Sequence, residues 1–271
     1  MTVLTHTASD TDRVAPLRFR SVLRSELGKL TSLRSLRVAM IAVPVLIVAG
    51  VVLRAWAYAQ TAQATDVGVP PLLAWQDVFD IGVHGGELAV VVLAAVAVGS
   101  EYTGRAALST FVAVPRRLLV LAAKSAVVLG AVAVLSAIGL VVGRALAAPS
   151  MASAHLGASW SATAGDEVSS LVLLLVVTVL ALAAGVLTRS TAAGITVVLG
   201  VLLVLPVAAN LVGRVIGVDL APFLLTYAAP MTTALHDPAG AGALAGDVAV
   251  TALWLVVPGV AAAVALRRRD V

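Results

Sequence analysis

The hydrophobic positions of this chain fall into six long, continuous runs separated by shorter polar stretches. A helix needs about 20 apolar residues to cross the roughly 30 Å hydrocarbon core of a bilayer, and continuous apolar runs favour helices over the alternating strands of a barrel. The pattern therefore predicts an all-α polytopic membrane protein in which residues 37–271 form a six-span domain. The predicted spans cover residues 38–58, 81–100, 122–143, 168–188, 190–213 and 248–266.

The segment before the first span has a different pattern. Residues 1–15 are polar, which predicts a flexible cytoplasmic tail. From residue 16 to residue 36, apolar positions recur at three- and four-residue steps, and basic residues fall mostly on other faces. This spacing predicts an amphipathic helix in the membrane interface. Such a helix is either a membrane anchor or a docking surface for a cytoplasmic partner, and physical reasoning alone favours the anchor.

The segments between the spans predict loops and short elements. A polar loop is expected at residues 60–80 and an Ala/Ser-rich loop at residues 144–167. A short cytoplasmic helix is expected at residues 103–113, ended by Pro115. An apolar stretch at residues 220–227 is too short to cross the membrane and predicts an interfacial or re-entrant helix.

Composition supports the membrane assignment. The chain has 271 residues, of which 61% are hydrophobic and 12% charged, whereas soluble domains are about 45–50% apolar and about 25% charged. This excess excludes a soluble domain, a disordered chain and a nucleic-acid binder, and the absence of cysteine excludes a disulfide scaffold. Arginine outnumbers lysine 16 to 2, which indicates a GC-rich bacterial genome.

The distribution of basic residues predicts the orientation of the chain. If the N-terminus lies in the cytoplasm, 15 of the 18 basic residues fall on the cytoplasmic side, and only Arg54, Arg144 and Arg214 fall outside. Cytoplasmic loops of membrane proteins carry this excess of Lys and Arg. We therefore expect a multi-pass protein of the bacterial cytoplasmic membrane with both termini inside.

No motif for catalysis or nucleotide binding accompanies the spans. The two lysines have no Walker A context, no His-Glu-x-x-His sequence occurs, and there is no cysteine to bind a metal. We therefore expect that the chain is not an enzyme and binds neither a metal nor a cofactor of its own.

Two ionisable residues lie within the second predicted span. His84 and Glu87 are three residues apart and share a helix face, and Glu87 lies about 20 Å from the inner end of the span. One hypothesis is a proton or cation relay, or the polar wall of a substrate cavity. The other is a glutamate near a ragged outer helix end, loosened by Gly82, Gly85 and Gly86 and wetted from outside.

The fifth span contains two further features of interest. Pro206 removes a backbone hydrogen bond and predicts either a structural kink or a hinge, and Asn210 offers a polar side chain to a translocation path.

Four stretches, taken in order, resemble parts of a known family. They are Glu26-x-x-Lys29-Leu30 with Arg34-Ser35, Glu101-Tyr102-Thr103-Gly104, Pro115-Arg116-Arg117 followed by Lys124, and the terminal Arg267-Arg268-Arg269-Asp270. Together they resemble the membrane permease subunits of type 2 ABC transporters, especially the compact six-span bacterial exporters. The second stretch departs from the family's Glu-Tyr/Phe-x-x-Gly pattern, because Gly104 follows after one residue and Arg105-Ala106 replaces the frequent threonine.

The resemblance implies a permease that works by alternating access with a separate ABC ATPase subunit, which binds ATP and Mg. A second permease, identical or paralogous, would complete the transporter, and a path lined by Ala, Val and Leu suits an amphiphilic substrate. The segment 219–231 resembles the extracellular or re-entrant helix before the last span. The residues to which the resemblance assigns ATPase coupling are Glu26, Lys29, Glu101, Tyr102, Thr103, Gly104 and Arg105.

Three alternatives stay open at this point. A secondary transporter or channel would use His84 and Glu87 directly, with Asn210 as a further candidate for the path. An intramembrane enzyme has no motif in its favour. A non-transporting membrane subunit of a resistance system would show the same spans.

Overall fold

The computed structural model of the protein describes residues 19–64, 70–103, 117–225 and 241–268. These residues are almost entirely helical, which confirms the predicted all-α fold, and six helical segments are long and apolar enough to cross a membrane. The helices are α1 Phe19–Ser32, α2 Arg34–Ala64, α3 Pro71–Thr103, α4 Arg117–Ser153, α5 Trp160–Thr188, α6 Thr191–Leu199, α7 Leu205–Ile216 and α8 Ala241–Arg268, with a π-helical segment Gly200–Val204 between α6 and α7.

The predicted amphipathic helix is present as α1, within the expected residues 16–36. It ends at Ser32, and α2 begins at Arg34, so the first spanning helix starts four residues before the predicted residue 38. Val22, Glu26 and Leu30 form the buried stripe of α1 at four-residue spacing. That spacing places the three side chains on one face, against the bundle.

Two predicted loops are largely helical, and those predictions are wrong. α2 continues to Ala64 and α3 begins at Pro71, so most of residues 60–80 is helix. Proline is favoured at the first helical position because its missing N–H would have no partner there. Likewise α4 continues to Ser153 and α5 begins at Trp160, within the predicted loop 144–167. The loops are predicted where polar residues interrupt the apolar runs of the sequence. In the fold several of these polar residues lie within helices, where they form contacts with polar residues of neighbouring helices.

The helices divide into a packed centre and a loosely packed edge. α3 and α5 are the central helices, with 67% of the most apolar window of each buried inside the chain. α2 packs on α3 and α4, and α8 packs mainly on α5. The α6–α7 span and α8 bury only 17% and 11% of their windows. Their apolar surfaces are therefore left for lipid or for another subunit.

Glycines allow α2 and α3 to approach closely. A Cβ on Gly50 would lie 2.8 Å from the Cα of Gly82, and a Cβ on Gly85 would lie 2.9 Å from the carbonyl oxygen of Leu46. Small residues permit such backbone contact between membrane helices. The glycines of α3 therefore tighten the bundle, and the expectation that they loosen the start of the second span is wrong.

The fifth span contains the predicted proline irregularity. The π-helical segment Gly200–Val204 directly precedes Leu205, and Pro206 lies in the first turn of α7. Because proline has no N–H and its ring clashes with the preceding turn, the α-helical ladder is interrupted at this point. The wider turn accommodates the ring without ending the span.

Candidate functional site

Three charged side chains fasten α1 to one end of the bundle, which we call the α1 end. Glu26 of α1 accepts from Lys124 of α4 at 2.6 Å through Oε2, and from Lys29 at 2.5 Å through Oε1. Lys124 Nζ also donates to the backbone carbonyl of Ala97 on α3, at 3.0 Å. We call Glu26, Lys29 and Lys124 the α1-end cluster. It joins α1 to both α4 and α3.

The two lysines contribute differently to this cluster. The side chains of Glu26 and Lys124 are only 4% and 8% exposed, whereas that of Lys29 is 37% exposed. Burial acts to raise the pKa of Glu26, but the charges and hydrogen bonds of Lys124 and Lys29 together outweigh it. The pKa of Glu26 therefore lies below its usual value of 4.5. The carboxylate stays ionised at neutral pH and keeps both lysines in place.

The opposite face of α1 is open. Leu27 is exposed on it, as are the basic residues Arg20 and Arg24. The buried face packs through Val22 against Val120 and Ala123 of α4. α1 is thus held on the bundle by one side and presents a mixed apolar and basic surface on the other.

Only two of the seven predicted coupling residues can be placed in full. Glu26 and Lys29 lie together in the α1-end cluster. The α3 backbone reaches Thr103, but the side chains of Glu101, Tyr102 and Thr103 lie outside the described residues, as do Gly104 and Arg105. The expected short helix at residues 103–113 lies outside them as well. Their predicted roles stay predictions.

At the far end of the bundle an arginine is buried between two indole rings. The Cζ of Arg144 lies 4.8 Å from the ring centre of Trp75 and 4.4 Å from that of Trp160. Its guanidinium also donates to Thr163 Oγ1, to the carbonyl of Ala158 at 3.1 Å and to Glu167 Oε1 at 3.4 Å. We call Arg144, Trp75, Trp160, Thr163 and Glu167 the far-end cluster.

The far-end cluster ties together α3, α4, α5 and the turn between α4 and α5. Trp75 is 1% exposed and donates from Nε1 to the carbonyl of Leu156 at 3.0 Å. Arg144 is 2% exposed and belongs to the interior of the bundle. The expectation that it lies in an outer loop is wrong, because α4 continues past it to Ser153 and two tryptophans cover it.

Four ionisable residues follow one face of α3. Asp77, Asp80, His84 and Glu87 are spaced by three, four and three residues, which keeps them on a single stripe. Asp77 is paired with Arg54 of α2, Nε to Oδ2, at 2.5 Å. Asp80 and His84 are exposed, whereas Glu87 is 3% exposed and its Oε1 has no hydrogen-bond partner. We call Asp80, His84 and Glu87 the α3 stripe.

Glu87 lies in the middle of the span. Ala97, which contacts Lys124, and Asp77, which pairs with Arg54, are 20 residues apart on α3, or about 30 Å, which matches the thickness of the hydrocarbon core. Glu87 is ten residues from each. The hypothesis of a ragged helix end at Glu87 is therefore wrong, since α3 begins 16 residues earlier, at Pro71.

Asn210 does not join the α3 stripe. It is exposed on α7 and lines a shallow depression with Gly213, Arg214 and Asp219. The described part of the segment 219–231 forms a 3₁₀ turn at Ala221–Phe223. Trp254 of α8 donates to the carbonyl of Phe223 at 3.1 Å, which attaches this turn to the last span.

Sequence reasoning missed the interior positions of Lys124 and Arg144. The available signal was a single basic residue with apolar residues on both sides, in a helical run longer than a membrane requires. A charge in such a position is expensive unless it faces protein, so each predicts a buried partner.

Comparison of the chain with models of known protein families and with curated proteins finds no match.

Proposed function

We propose that this membrane protein is the permease of an ATP-driven exporter and that α1 is the element through which a separate ATPase drives it. The α1-end cluster is the observation that supports the proposal best. A helix that lies outside the spans is bonded by buried charges to two of them, Glu26 to Lys124 on α4 and Lys124 to Ala97 on α3. A simple anchor would need only apolar contact with lipid.

Coupling requires that a displacement of α1 by the ATPase be transmitted to the transport path. A partner that docks on the open face of α1 would displace Glu26, and the ion pair would carry that displacement to α4 and to the end of α3. The α3 stripe lies further along the same helix. ATP binding in the partner would thereby shift an equilibrium between inward-facing and outward-facing states.

The subunit arrangement follows from this role. Two permeases, identical or paralogous, would pair with two ABC ATPase subunits that hold ATP and Mg. The α1 end would face the cytoplasm, as the distribution of basic residues predicts, and an amphiphilic substrate would leave the bacterial cell across its cytoplasmic membrane. The Glu101–Arg105 segment begins in the last turn of α3 and would form a second contact with the ATPase.

Reconstitution with a partner tests the proposal. The protein would be co-purified with an ABC ATPase encoded beside its gene, and transport and ATP hydrolysis would be measured in vesicles. We expect Lys124→Met to retain the complex but to uncouple hydrolysis from transport. The matched control is Arg54→Met at the far end, which should stay coupled. Failure of any ATPase to co-purify, or full coupling in Lys124→Met, would contradict the proposal.

A secondary transporter is the second candidate, because the α3 stripe places ionisable groups within the membrane. This candidate predicts that the purified chain alone moves substrate in vesicles under a cation gradient. Transport that occurs only with the ATPase present and hydrolysing ATP would exclude it.

A further inference from the structure

The α3 stripe combines accessible acceptors with an occluded end. His84 Nδ1 lies 2.6 Å from the carbonyl oxygen of Asp80. Since a carbonyl oxygen can only accept, Nδ1 carries the hydrogen of this contact. Asp80 and Glu87 place carboxylates on either side of the imidazole. Two carboxylates with an imidazole between them thus follow one another from the far end of the span to its middle.

Asp80 and Glu87 have no Lys or Arg partner among the described residues, in contrast to Asp77. The ionisable groups that interact with Asp80 are His84 and the acidic residues Asp77 and Asp166. An ionisable group at this depth faces protein, water or a ligand, because contact with lipid costs several kcal/mol. Oε1 of Glu87 is buried and has no hydrogen-bond partner.

The helices packed against α3 bring no positive charge to the level of Glu87. Gly86 faces Ile47 of α2 and Leu174 of α5, so the neighbouring surfaces at this level are apolar. Among the described residues, the basic side chains of these helices lie near a helix end, at one of the two clusters or, for Arg54, in the ion pair with Asp77 ten residues from Glu87. In α2, α4, α7 and α8 these residues are Arg34, Arg37, Arg54, Arg117, Lys124, Arg144, Arg214, Arg267 and Arg268, and α5 contributes only the acidic residues Asp166 and Glu167.

We propose that the α3 stripe binds the charged group of a lipophilic organic cation. Ile81 and Leu88 are exposed beside the stripe and would cover the apolar part of such a compound, while the carboxylates of Asp80 and Glu87 would receive its positive charge. A carboxylate in a low-dielectric setting attracts a cation strongly. Lipophilic anions would be repelled by the same groups.

This inference rests on the proposed function, since it names the class of substrate for the same path. The cation-binding inference and the proposed function are tested separately. Binding to the permease needs no ATPase, so loss of coupling leaves the binding result intact, and loss of binding leaves the coupling result intact.

Equilibrium binding to the purified full-length chain in detergent tests the inference. The probes are tetraphenylphosphonium and tetraphenylborate, which have similar size and opposite charge. We expect the phosphonium to bind, Glu87→Gln to weaken that binding about tenfold, which corresponds to about 1.4 kcal/mol, and Asp80→Asn to weaken it less. The control variant, Asp247→Asn at the start of α8, should bind as the unmodified chain does.

A second variant tests the inference independently in case Glu87→Gln fails to fold. His84→Lys changes an exposed side chain and places a fixed cation on the stripe, so it should abolish phosphonium binding while the chain keeps its elution profile. The inference is overturned if the phosphonium does not bind the unmodified chain or if the borate binds equally well. It is also overturned if Glu87→Gln and His84→Lys both bind the phosphonium as the unmodified chain does.

Discussion

Each end of the bundle holds a buried charged side chain, and the two ends do so with different chemistry. At the α1 end a carboxylate is buried between two lysines, whereas at the far end a guanidinium is buried between two indole rings. Lysine is a compact point charge on a flexible stem, while arginine is planar, stacks on aromatic faces and donates in several directions at once. The far-end cluster is therefore suited to a rigid joint, and the α1-end cluster to a contact that can transmit movement.

Removal of Arg144 should have the largest effect and tests whether the far-end cluster is the rigid joint. Arg144→Ala should cost about 3–5 kcal/mol of unfolding free energy, because it leaves Glu167 without its partner and a cavity between two tryptophans. Arg144→Lys should recover little of it, because an ammonium cannot stack on both rings. Thermal unfolding in detergent measures the loss. Arg54→Ala is the control, since its ion pair with Asp77 is partly exposed and should be worth less than about 1 kcal/mol.

Loss of Lys124 should have the next largest effect. Lys124→Met leaves Glu26 buried with only the half-exposed Lys29 beside it, at a cost of about 2–4 kcal/mol, and it should free α1 from the bundle. Limited proteolysis of α1, read by mass spectrometry, measures the release. Equal protection of α1 in Lys124→Met and in the unmodified chain would show that apolar contact alone holds it.

The two indole rings should not be equivalent. Trp75 is buried and also donates to Leu156, whereas Trp160 is 52% exposed. Trp75→Phe should therefore cost about 1–3 kcal/mol and Trp160→Phe less than about 1 kcal/mol. Chemical unfolding followed by circular dichroism compares the two. The reverse order would contradict the assigned geometry.

Acidification should weaken the α1 end. The pKa of Glu26 is lowered in the folded chain, so its stabilising contribution is fully present above the unfolded value near 4.5 and is lost as the pH falls through the folded pKa. The stability difference between the unmodified chain and Glu26→Gln should shrink below pH 4.5. A difference that stays constant down to pH 3 would rule out this titration.

Lys29→Met should have the smallest effect. Its ion pair with Glu26 is partly exposed on the lysine side, and such pairs are worth about 0–1 kcal/mol. The small loss should also fade in high salt, because exposed charges are screened. Thermal unfolding at low and high ionic strength measures both effects, and a loss equal to that of Lys124→Met would remove the distinction between the two lysines.

Much of the fold could be predicted because the membrane imposes a simple rule on composition. Six apolar runs correspond to six spanning helices, and the predicted amphipathic helix is present, with Val22, Glu26 and Leu30 buried at four-residue spacing. The ends of the helices could not be predicted with the same accuracy. Trp75, Gln76 and Asp77 look like loop residues in a one-dimensional reading, yet they lie within α3, where Asp77 and Trp75 have partners on other helices.

The candidate site was only half accessible to sequence reasoning. Glu26 and Lys29 are one helical turn apart, and His84 and Glu87 likewise, so their neighbourhoods follow from local spacing. The sequence by itself determined the number of spans, the helical class and these local pairs, because each depends on residues close together in the chain. Only the tertiary structure decided that Glu26 meets Lys124, that Arg144 lies against both Trp75 and Trp160, and that Glu87 is buried at mid-depth with its Oε1 without a hydrogen-bond partner. These contacts join residues distant in sequence, and they depend on how helices pack, which hydrophobic patterning does not encode.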